Sequence, residues 1–128
     1  MSCSGRNWIR LGAILAAAGV ALGAFGAHGL RDLVSAERLI TWETAVRYHL
    51  LHALGLVLLG VLSTPTAGYQ WCGRLFVLGI ALFSGSLYLL VLFDVPMLGA
   101  LTPFGGVALI LAWLLLAFSP DGRDQSRP

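Results

Sequence analysis

The stretch from His28 to His52, HGLRDLVSAERLITWETAVRYHLLH, concentrates the side chains that could do chemistry. It holds all three histidines, three of the six acidic residues and three of the eight arginines. On a helix, Glu43 and Arg47 are i,i+4 neighbours and form a candidate ion pair. His49 and His52 are i,i+3 neighbours on roughly the opposite face, with Trp42 and Ala45, and Tyr48 stands beside His52 at i,i+4. Three neutral imidazoles, with His28 added, offer ligands for a transition metal. Two on separate helices offer ligands for a haem, or hydrogen bonds to a quinone headgroup. The spacing H-x-x-H selects none of these, because a metal needs further ligands. Two neutral core histidines bonded to backbone or hydroxyl groups satisfy the same residues. So does an interfacial anchor in place of a functional Glu43–Arg47 pair. Asp94 completes the candidate polar cluster of His28, Tyr48, His49, His52 and Asp94. A carboxylate at the mouth of a bundle suits proton transfer, and this one is within reach of Arg31, Arg38 or Arg47.

The elements that must position these groups are membrane helices. Of the 128 residues, 58% are hydrophobic and 11% charged, and the mean hydropathy is +0.85. A soluble domain carries roughly 25% charged residues, so most of this surface is not built for water. Spanning a bilayer takes about 20 apolar residues in a helix, and four charge-free runs reach or approach that length. They predict spans near residues 8–29, 42–63, 72–93 and 99–118, in a single membrane domain covering 1–128 with a polar tail at 119–128. The expected fold is all-α: an integral membrane four-helix bundle with short loops. An interfacial helical segment, capped by Ser35 or Thr41, leads into the second span with Trp42 and Tyr48 as interface aromatics.

Proline marks the breaks, since it lacks a donor and biases its predecessor away from helix. Ser63-Thr64-Pro65-Thr66 with Gly68 ends the second span and Asp94-Val95-Pro96 the third. Thr102 and Pro103 restart the fourth as cap and first turn, which makes Met97 to Leu101 a re-entrant or interfacial connector. The first span has a competitor, because Arg6 and Arg10 before an apolar run also describe a secretory signal. A retained helix is the better reading: the run is longer than a signal core, and Gly19 and Gly23 give the small-residue spacing of packed membrane helices.

The net charge of +2 is scattered, with no basic stripe to follow a phosphate backbone; nucleic-acid binding is excluded. Cys3 and Cys72 form neither a disulfide framework nor a zinc site. Arg6, Arg10, Arg74, Arg123 and Arg127 share one side of a four-span topology, against Arg31, Arg38 and Arg47. That bias predicts both termini in the cytoplasm. In the third span, Ser84, Gly85 and Ser86 read as helix-packing residues with interhelical hydrogen bonds. No GxSxG elbow, HExxH or P-loop occurs, so an enzyme is the weakest class.

Four motifs in order, GAFGAHGL at 23–30, TAVRYHLLHALGL at 44–56, LFSGSLYLL at 82–90 and TPFGG at 102–106, resemble the family called domain of unknown function 423. That family comprises small bacterial inner-membrane proteins, and the eukaryotic transmembrane protein 256 is similar to it. The resemblance implies four membrane helices with the first retained. It also places His28, Tyr48, His49, His52, Ser84, Ser86, Tyr88, Thr102 and Pro103 in the family pattern. It carries no established activity. Two functions follow as expectations. The first is a non-enzymatic structural or accessory component of a homo-oligomer or larger membrane complex, requiring no cofactor. The alternative is small-molecule or ion translocation, or binding of haem, quinone or metal, at the polar cluster near the outer membrane boundary.

Overall fold

The computed structural model describes residues 3–62 and 66–119. The break expected at Ser63, Thr64 and Pro65, the tail from Pro120 and the side chain of Cys3 lie outside the described residues. Four helices are long and apolar enough to cross a membrane: α1 (Ser4–Leu30), α2 (Ala36–Leu62), α3 (Ala67–Phe93) and α4 (Pro96–Phe118). Among the described residues there is no strand.

Helix α2 is one unbroken helix from Ala36, so the segment expected to lead into the second span is continuous with it. Ser35 starts it, its hydroxyl accepting from the Arg38 backbone N–H at 3.2 Å. Thr41 does not cap; its hydroxyl donates to the Glu37 carbonyl one turn back. Because the helix starts early, His49 is equidistant from its two ends. Both histidines of α2 therefore lie near the middle of the helix.

Helix α3 ends where expected, and Asp94 makes the stop. Its φ of 52° is the one positive φ among the described non-glycine residues, a conformation that aspartate tolerates better than most. The Val95 N–H then bonds back to the Leu90 carbonyl, and Pro96 opens a 3-10 turn over Pro96–Leu101 before α-helix resumes at Thr102. Thr102 makes no capping bond there, because its hydroxyl is engaged with Ser86 on α3. Two π-helical stretches, Gly26–Leu30 in α1 and Ile80–Gly85 in α3, interrupt the regular winding.

The helices pair as α1 with α2 and α3 with α4, and α2 joins the pairs by packing on α3. Glycine sets how close each pair comes. A side-chain carbon at Gly12 would stand 2.7 Å from the Ala53 carbonyl oxygen and 2.8 Å from Val57 Cγ2. Gly60 lies in the same way against the backbone of Gly5 and Ile9, Gly19 against Leu50, and Gly79 against Leu109. The core has two parts. One, at the end where α1 begins, centres on Leu56, Leu59, Cys72, Phe76, Ile80, Leu109 and Ala112. The other, at the opposite end, centres on Leu30, Trp42, Ala45, Leu87, Leu90 and Val91.

Gly85 departs from the expected packing role: a Cβ there would meet nothing within 4 Å. The close approach between α3 and α4 is made by Gly79 and Gly105 instead. Gly12→Leu should therefore lower stability by about 1–3 kcal/mol or more through overpacking. Gly85→Ala should be neutral, or more stable by up to about 1 kcal/mol from helix propensity. SDS titration of detergent-solubilised protein, followed by circular dichroism, separates the two; equal midpoints would contradict this packing.

Candidate functional site

The buried stripe of α2 is Trp42, Ala45, His49, His52, Ala53 and Leu56, with the i, i+3, i+4, i+7 recurrence of a single helix face. His49 is 4% exposed and His52 3%, so at this depth their polar atoms can find partners only inside the bundle. His49 finds two, on two other helices. Its Nε2 lies 2.7 Å from the Leu15 carbonyl of α1, and its Nδ1 lies 2.9 Å from the Tyr88 hydroxyl of α3. A carbonyl only accepts, so Nε2 carries the proton, and the Tyr88 hydroxyl donates to Nδ1. One imidazole thus ties three helices together.

His52 behaves differently. Its Nδ1–H donates to the Tyr48 carbonyl in its own helix at 2.7 Å, which fixes the opposite tautomer. The ring lies among aromatic side chains, 5.9 Å from Phe76 and 5.9 Å from Trp113 between centroids, and stacked at 6.0 Å on Tyr48. Tyr48 is half-exposed and also packs on Phe83 of α3 at 4.4 Å.

Other side chains make the same kind of tie as His49. Trp42, read from the sequence as an interface aromatic, is 1% exposed; its Nε1–H donates to the Leu22 carbonyl of α1 at 2.9 Å. The ring packs against Phe25 and Tyr88. The ring thus faces the neighbouring helices, because Trp42 lies on the buried stripe of α2. The Ser84 hydroxyl donates to the Ala45 carbonyl at 2.7 Å, joining α3 to α2. Ser86 donates to the Phe83 carbonyl at 2.9 Å, so the Thr102 hydroxyl, 2.9 Å away, donates to Ser86 and joins α4 to α3. The Cys72 thiol, given no role by the sequence reading, donates to the Ala112 carbonyl at 3.1 Å.

The remaining residues of the cluster stand apart. His28 is exposed on the π turn that ends α1. Asp94 pairs with Arg38 at 3.0 Å and not with a histidine. No three His, Cys, Asp or Glu side chains among the described residues are placed to hold a metal ion. Glu43 and Arg47 form no ion pair within 4 Å. Both are exposed on the outward face of α2, away from the buried stripe that carries Trp42 and His49. The ion pair at this end of the bundle is Arg38–Asp94, lining an open cleft with Leu33, Ser35 and Glu37. Gly19 and Gly23 face α2, meeting Leu50 and Val46.

Two outcomes follow from this geometry. In 15N spectra of histidine-labelled protein, His49 should give the Nε2–H tautomer and His52 the Nδ1–H tautomer; identical tautomers would refute the arrangement. Tyr88→Phe should cost about 0.6–1.7 kcal/mol, the range for hydrogen bonds inside membrane bundles. A double-mutant cycle with His49→Ala should return most of that as coupling, and additive losses would mean the contact contributes nothing.

Residues 22–106 match the family described as a protein of unknown function, DUF423. A UPF0382 membrane protein of Staphylococcus haemolyticus is 46% identical over 113 residues, covering 88% of this chain and 93% of its own. One from Staphylococcus saprophyticus is 47% identical over 110 residues, covering 85% and 92%. The UPF0382 membrane protein YwdK of Bacillus subtilis is 46% identical over 112 residues, covering 85% and 91%. No solved structure matches. With four membrane-length helices and relatives of this similarity along most of its length, the chain is an integral membrane protein and belongs to the DUF423 family, whose function is unknown.

Proposed function

We propose that this chain is a non-enzymatic structural or accessory component of a bacterial inner-membrane assembly, either a homo-oligomer or a larger complex, with both termini in the cytoplasm. The observation that carries this reading is how the buried polar groups are used. His49, Tyr88, Trp42, Ser84, Ser86 and Thr102 each spend a hydrogen bond on another helix. Side chains committed in this way hold a shape; a reaction or a transport path needs groups that can change partners.

The outward side of α1 supports an assembly. Ala13, Ala17, Ala21 and Ala24 are all exposed along it, and small residues in a membrane helix let a second helix approach closely. For the orientation, support comes from Arg6, Arg10 and Arg74 at the end of the bundle where α1 begins and α4 ends.

Native mass spectrometry of the full chain released in a mild detergent should find a defined oligomer or a stoichiometric partner. Ala17→Trp should shift the population to the smaller species while leaving the unfolding midpoint unchanged. A wild-type protein that is strictly monomeric and partner-free would count against the proposal.

A further inference from the structure

At the end of the bundle where α1 and α3 begin, the two helices touch through Gln70, whose side-chain amide donates to the Ser4 hydroxyl, and through the Trp8 ring lying on Gly73. From that contact a groove runs along the outside of the bundle. Its part toward the middle of the bundle, about 390 Å³, is lined by Trp8, Leu11, Val77, Leu78 and Ala81, with Arg74 at its edge. Its part toward the start of α1 and α3, about 310 Å³, shares Trp8, Leu11 and Arg74 and adds the polar side chains Ser4, Asn7 and Gln70. An apolar trough thus opens, at one end, on a small polar cradle.

Arg74 is the one charged residue in α3. It sits seven residues into that helix, about 10 Å at 1.5 Å per residue. Its side chain is exposed, with its guanidinium over the Trp71 ring at 5.0 Å. The one ion pair among the described residues, Arg38–Asp94, belongs to the opposite end. No described residue from Ser4 to Leu30, or from Thr44 to Phe93, is acidic, so neither wall of the groove can supply a counter-charge. A cation on a membrane helix takes a counter-charge or reaches for the headgroup region. Trp8 Nε1–H, in the shared wall, is buried without an acceptor, so the wall also leaves a donor unsatisfied.

We propose that this groove binds one phospholipid with a net negative headgroup from the leaflet on that side. The phosphate lies against Arg74 with Asn7 and Gln70 around it, and an acyl chain follows Leu11, Val77, Leu78 and Ala81 inward. The lipid sets a negative charge beside Arg74, which has none on the described walls of the groove, and covers the apolar trough in one act.

The test uses the full chain in mild detergent with equimolar phosphatidylglycerol and phosphatidylcholine, read by native mass spectrometry. Phosphatidylglycerol should be retained about fivefold over phosphatidylcholine, the preference expected for one arginine acting on an anionic headgroup. Arg74→Gln should bring the ratio to parity, Arg74→Lys should keep part of it, and Leu78→Trp should lower retention of both lipids by filling the trough. Arg31→Gln, at the opposite end, should leave the ratio unchanged. The proposal is overturned if the wild type holds both lipids equally, or if Arg74→Gln keeps the preference in a protein with the wild-type unfolding midpoint. Should Arg74→Gln not fold, the Arg74→Lys and Leu78→Trp results decide in the same sense.

Discussion

The structure depends on one constraint: a polar side chain at membrane depth must be satisfied by the bundle, because lipid offers no partner. The acceptors used are mostly helix carbonyls already bonded within their own helices. Leu15, Leu22, Ala45 and Ala112 each receive an additional donor from a neighbouring helix, respectively His49, Trp42, Ser84 and Cys72. A carbonyl oxygen has two lone pairs, so it can hold its own helix and latch another. Each latch contributes little by itself, but it replaces a buried unpaired donor, which is the costlier alternative.

This mode of latching accounts for glycines that simple close packing leaves unexplained. The carbonyl of residue i in a helix is crowded by the side chain at i+4, since both lie on the same face. The Leu15 carbonyl is followed at i+4 by Gly19, and the Leu22 carbonyl by Gly26. A Cβ at Gly19 would lie 3.3 Å from His49 Cδ2, and one at Gly26 would lie 2.7 Å from Trp42 Nε1. Each glycine therefore clears the approach of the donor to the carbonyl one turn before it. The small residues of α1 and the polar residues of α2 are two halves of one device, which is why neither half explains itself when taken separately.

That pairing also marks how far the sequence could be read. The four spans are legible because about 20 apolar residues leave few alternatives to a membrane helix. The buried face of α2 is legible because Trp42, Ala45, His49 and His52 recur at helical spacing. The helix that leads into the second span is legible from its cap, since Ser35 precedes it and α2 runs on from Ala36 through Glu37, Arg38, Glu43 and Arg47 without a break. Glu43 and Arg47 stand at pairing distance in sequence, yet Arg38 takes an acidic partner 56 positions away. Spacing along one helix cannot report a choice made between helices. For the same reason Thr102 read as a cap and proved to be a tie to Ser86: the competing acceptor lies on another segment.

The two ends of the bundle differ in a way that bears on what this protein can do. At the end bearing Arg38 and Asp94, a charge from α2 meets its opposite just past α3, and the left-handed backbone of Asp94 holds the carboxylate at the turn. Asp94 is engaged by Arg38 there, and the protons of His49 and His52 are committed to carbonyl oxygens. At the other end Arg74 has an aromatic partner and no carboxylate on the helices around it. A charge without a partner in the fold draws a counter-charge from the membrane or from another protein. The histidines attract attention first, but Arg74, like Glu43 and Arg47 on the outward face of α2, is a charged group with no ion pair among the described residues.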